Sequence, residues 1–80
     1  MKAAVIRKLS SRPLGELEAA IETLIEEERA PDWVEGDDLG EKLTHLNLAR
    51  EVAVAVSEGT AQGEAFRAVL GRVRALMKND

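Results

Sequence analysis

One stretch limits the folds open to this 80-residue chain more than any other: Asp37 to Val56, DDLGEKLTHLNLAREVAVAV. With about 100° of turn per residue in a helix, Leu39, Leu43, Leu46 and Ala53 share one face. A second stripe, His45, Leu48, Val52 and Val56, is read as lying roughly opposite, and the polar strip of Thr44, Asn47, Glu51 and Glu58 is narrow. A helix apolar on most of its circumference is buried, either inside a large domain or between subunits. A chain this short hides only about 60% of the surface its unfolded form exposes. The second stripe is therefore expected to meet another copy of the chain or a different partner. Alternating valines from Val52 to Val56 also suit a strand. The helical pattern enters unbroken from Leu39, however, and no second strand is present to pair with it. Asp37 or Asp38 is expected to cap the first turn, where a short carboxylate accepts from free N–H groups.

Three further segments surround this one. Residues 3–10, AAVIRKLS, fit two helical turns with Val5, Ile6 and Leu9 inward, although VIRKL also fits a short edge strand. Ser10, Ser11 and Pro13 mark a break, with Pro13 suited to the first position of a new helix. Leu14, Leu17, Ile21, Leu24 and Ile25 then recur at helical spacing, opposed by Glu16, Glu18, Glu22 and Glu26. This helix is expected to end near Arg29, because Ala30 precedes a proline and avoids the helical region. Pro31 to Gly36 form a loop in which Trp33 and Val34 fold back as an apolar lid. After the central helix, Gly59 suits a left-handed cap and Thr60 the start of the next helix. That last helix carries Phe66, Val69, Leu70, Val73, Leu76 and Met77 on one side and Arg67, Arg74 and Lys78 on the other.

The net charge of −4 conceals basic ends and an acidic middle. Lys2, Arg7, Lys8 and Arg12 open the chain, acids dominate from Glu16 to Glu64, and Arg67, Arg72, Arg74 and Lys78 close it. Such a pattern is expected to let the basic last helix pair with the Glu-rich second helix; the sharper alternative is an acidic surface that meets a basic partner. The stripe of Arg67, Arg74 and Lys78, three charges without interleaved aromatics on an acidic chain, argues against nucleic acid. No cysteine is present, so disulfides are excluded and a reducing cytoplasm is the expected location. The opening residues are charged and lack a following apolar core, so no secretory leader is expected. No apolar run approaches the ~18 residues of a membrane span.

Taken together, MKAAVIRKL, EGDDLGEKLTHL and EGTAQGEAFRAVLGRVRAL resemble a small uncharacterised bacterial family of all-helical domains of unknown function. The matching positions include Val5, Ile6, Gly40, Glu41, Leu43, Gly59, Thr60, Glu64, Ala65, Arg72 and Val73, with departures around Trp33 and at Gly63. The resemblance implies encoding near thioredoxin or peroxiredoxin genes, and hence a cytoplasmic accessory role in redox physiology. It carries over no active site.

Chemistry-bearing groups are few. One histidine and no cysteine leave no triad and no thiol nucleophile within a chain. Ser10, Ser11 and Ser57 fall in turn or cap contexts without a base, and Gly36, Gly40, Gly59 and Gly63 match no phosphate-binding loop. The acidic run Asp32, Glu35, Asp37, Asp38 and Glu41 fails the spacing of a calcium loop. One constellation stands out. Glu41 and His45, four residues apart, share a helix face, and a two-fold axis would bring two such pairs together. Two Glu and two His suit zinc, iron or manganese, with Asp37 and Asp38 as added oxygen ligands. The plainer alternative is that Glu41 orients His45, or that both lie solvated at an interface rim.

The sequence therefore predicts one all-α domain over residues 1–80, with a short N-terminal helix and three main helices in a homo-oligomeric bundle. Its expected role is a non-catalytic interaction or accessory module that self-associates through Leu48, Val52 and Val56. The alternative is a metal-binding protein with an inter-subunit site at Glu41 and His45.

Overall fold

A computed structural model describes residues 2–77, without the side chains of Leu76 and Met77; Lys78 and the inward placement of Leu76 and Met77 thus lie outside the described residues. Four helices follow one another: α1 (Ala3–Leu9), α2 (Leu14–Glu27), α3 (Leu39–Ser57) and α4 (Gln62–Met77). No strand occurs among the described residues, which settles both VIRKL and Val52–Val56 as helix. The molecule measures 33 × 31 × 18 Å, and the short dimension admits at most two layers of helices about 10 Å across. Helix α3 is the hub: α1, α2 and α4 each pack on it, with no substantial contact joining α2 to α4.

Helix α1 buries Val5, Ile6 and Leu9, and places Arg7 and Lys8 in its last turn, where cations favour the negative end of the helix dipole. The chain then turns through Ser10, whose hydroxyl donates to the Arg7 carbonyl at 2.8 Å. Pro13 sits one position earlier than expected, as the N-cap of α2 (φ −54°, ψ 139°). Its carbonyl accepts from the amides of Glu16 and Leu17. Helix α2 buries Leu17, Ala20 and Leu24, while Ile25 is 63% exposed. The inward face is thus rotated toward Ala20 and away from Ile25. A small residue there lets the α2 backbone approach the hub closely, which a count of large apolar side chains does not register.

Helix α2 stops at Glu27, two residues before the expected end, because Glu28 turns left-handed (φ 55°, ψ 37°). It is the only non-glycine residue with positive φ among the described residues. A side chain in that region crowds its own carbonyl, which glycine avoids. Glu28→Gly is therefore expected to raise stability by about 0.5–1 kcal/mol, read as a higher urea midpoint with unchanged slope. Gly59, by contrast, takes its expected positive φ (107°) after α3. Between α2 and α3, Val34 is buried and Trp33 half-buried against the core, as the expected lid. Gly36 is required by close approach, since a Cβ there would stand 2.9 Å from the Lys42 amide nitrogen.

The central helix departs from expectation in the arrangement of its two stripes. Its buried residues are His45, Leu46, Ala49, Val52 and Ala53. On a helical wheel Ala49 falls between the two stripes, which are only about 130° apart. They are the flanks of one broad face rather than opposite sides. One flank, with Leu46, Ala49 and Ala53, joins Val5, Ile6, Leu9, Leu17, Ala20 and Leu24 in the main core. The other flank centres on Val52, which is fully buried against Ala65 and Val69 of α4. Leu48 is half-buried and packs on both clusters. The expectation that this stripe needs a second molecule is therefore corrected for Val52, because α4 covers it, while Leu48 is covered only in part. Val56 alone keeps 39% of its surface exposed.

Candidate functional site

The N-terminal half of α3 holds the only histidine, and it is completely buried. The Lys2 amide, 3.0 Å from His45 Nε2, can only donate, so Nε2 is the unprotonated nitrogen. Nδ1 then carries the proton and donates to the Glu35 carbonyl at 2.8 Å. Lys2 is the N-cap of α1, where backbone N–H groups lack a partner within the helix. One imidazole thus satisfies an orphan amide at the start of α1 and an orphan carbonyl in the loop before α3. It ties three segments together at a point no water reaches. Two exposed ion pairs run beside it, Lys2 with Asp37 and Lys8 with Glu35, both at 3.4 Å; pairs of this kind contribute at most about 1 kcal/mol.

Glu41 performs a different task. Asp38, the N-cap of α3, accepts from the Glu41 amide at 2.8 Å, and Glu41 Oε1 accepts from the Asp37 amide at 2.7 Å. This reciprocal arrangement is a capping box displaced by one residue, so of the two candidate caps Asp38 is the one used. The Asp37 amide, aided by the nearby Lys2 charge, holds the Glu41 carboxyl below its ordinary value. A carboxylate with a lowered folded pKa stabilises the fold above its unfolded pKa, and that contribution disappears as pH falls through the lowered value. Carbon-13 NMR titration is expected to show Glu41 protonating below the ordinary glutamate range, with α3 fraying at its start in the same range.

These placements bear directly on the proposed metal site. Glu41 and His45 share a helix face, but both imidazole nitrogens are already bonded and the ring faces the interior. No lone pair of His45 is left to meet a symmetry mate. Asp37 and Asp38 are directed to Lys2 and to the Glu41 amide. No group of three or more His, Cys, Asp or Glu suited to a metal occurs among the described residues. Within this chain His45 is engaged by the Lys2 amide and the Glu35 carbonyl, and Glu41 by the Asp37 amide, so the imidazole lone pair that an inter-subunit metal would need is already used.

At the other end of α3 lies an open cleft of about 410 Å³, lined by Ser10–Leu14, Ala53, Val56, Ser57 and Gln62. Its apolar floor is Leu14, Ala53 and Val56. Its polar rim comes from distant parts of the chain, where the Gln62 amide donates to both Ser10 Oγ and Ser11 Oγ at 3.1 Å. The serines have an amide for a neighbour, not a base, so they gain no nucleophilic character. Beside the cleft, the Arg12 guanidinium lies 3.9 Å from the Trp33 ring centroid and pairs with Glu16 at 3.0 Å. Trp33 is thus occupied by a cation of its own chain. Sequence reading alone offers no signal for the Gln62–serine cluster, because its members are about fifty positions apart.

No helix of the described residues is long and apolar enough to cross a membrane. A family model described as a family of unknown function (DUF6952) matches residues 1–77. No curated protein and no solved structure matches the chain.

Proposed function

Because this chain belongs to a family of unknown function (DUF6952), membership hands down no activity, and we propose from its own geometry a non-catalytic helical module that associates with further copies of itself. One observation carries this reading. The large apolar side chains Ile25, Leu39 and Val56 stay 63%, 39% and 39% exposed, on a molecule whose single imidazole is fully engaged inside. What the surface offers is apolar contact beside charge, which suits docking. Within the central helix this exposed apolar surface lies near its two ends, at Leu39 and Val56, and not at Val52, which α4 covers. A cytoplasmic accessory role in redox physiology fits a chain without a thiol of its own, which would serve a redox partner rather than carry electrons.

Light scattering coupled to size exclusion tests this reading at micromolar concentrations. A dimer or larger species supports it; a monomer at all concentrations reached contradicts it.

A further inference from the structure

The acidic second helix and the basic fourth helix were expected to pair within one chain, and they do not. Glu18 of α2 pairs instead with Arg50 of α3, and Arg72 of α4 with Glu51 of α3. Arg12 takes Glu16 and Arg29 takes Glu27. Among the described residues this leaves Glu22 and Glu26 on α2, and Arg67 and Arg74 on α4 with Glu64 one turn before them, without an ion-pair partner, all five exposed.

The leftover charges frame complementary surfaces. On α2, Ile25 lies to one side of Glu22 and Glu26 as an apolar knob, 63% exposed. On α4, Arg67 and Arg74 are two turns apart on one face, with Gly71 between them and open space above it. Resting on the self-association proposed above, we infer that α2 of one copy docks on α4 of the next. Ile25 sits over Gly71, and Glu22 and Glu26 reach Arg67 and Arg74. The two surfaces differ, so the contact is heterologous. A ring closes it, or a two-fold pair makes it twice. A second copy is the occupant because the chain itself carries both halves of the charge match. With one apolar knob and exposed ion pairs, the contact is weak and sensitive to salt.

Charge exchange tests it. One variant carries Glu22→Arg and Glu26→Arg, a second carries Arg67→Glu and Arg74→Glu, and circular dichroism checks that each remains helical. In sedimentation velocity, each alone is expected to associate at least about tenfold more weakly than the parent chain. An equimolar mixture is expected to regain association, because the reversed surfaces then match. Ile25→Ser, which alters no charge, is expected to weaken association as well. If both charge variants associate like the parent while Val56→Glu dissociates it, self-association stands and this contact is wrong. Variants that weaken association without rescue on mixing overturn the contact too. A parent chain that is monomeric throughout overturns both readings.

Discussion

Val52→Glu leaves the chain unfolded at every protein concentration. Val52 has no exposed surface and lies against Ala65 and Val69. A carboxylate there is enclosed without a partner, or takes up a proton and still forfeits the packing of α4 on α3. Burial of an unpaired charge belongs with the largest single-residue effects, at about 4 kcal/mol or more. An 80-residue domain has about 4–12 kcal/mol in all. Circular dichroism is expected to show loss of most helix, and dilution of the parent chain to leave its helix intact. A folded, monomeric Val52→Glu chain would return Val52 to the subunit interface assigned from sequence.

His45→Ala is expected to be nearly as severe, for a different reason. The substitution empties a fully buried site and strands two backbone groups, the Lys2 amide and the Glu35 carbonyl. The cavity and the loss of two part-buried hydrogen bonds together cost about 3–5 kcal/mol. Urea unfolding gives the loss, and hydrogen exchange shows where it falls. Protection is expected to drop first in α1 and in residues 33–36, the segments that the imidazole holds. An alanine variant with the parent's urea midpoint would show that His45 bridges nothing of consequence.

Much of the fold is legible in the sequence, and the failures share a cause. Helix positions follow from apolar spacing, from Pro13 and Pro31, and from the acids ahead of Leu39. The positive φ at Gly59 and the lid of Val34 follow from local residue types. The facing of α2 and α3 does not, because alanines decide it. Ala20 and Ala49 sit at the centres of the buried faces, yet they weigh little in a pattern read from Leu, Ile and Val. Overlooking Ala49 splits one broad face into two and creates an apparent need for a partner. The stop at Glu28 is illegible for another reason: a glutamate gives no hint of a left-handed turn. At the candidate site, Glu41 and His45 stand out in the sequence, but the groups they bond do not. The partners that define them are backbone groups of Lys2, Glu35 and Asp37, and a backbone group leaves no mark on the sequence.

The tautomer of His45 tests most directly whether the one imidazole of the central helix is used up within one chain. Long-range proton–nitrogen NMR correlation on uniformly labelled protein near neutral pH reads it from the two ring nitrogens. A proton on Nδ1, slow to exchange, together with a bare Nε2 and a protected Lys2 amide, is the expected result. A proton on Nε2, or a ring in rapid exchange with water, would contradict it and free the imidazole for other ligands.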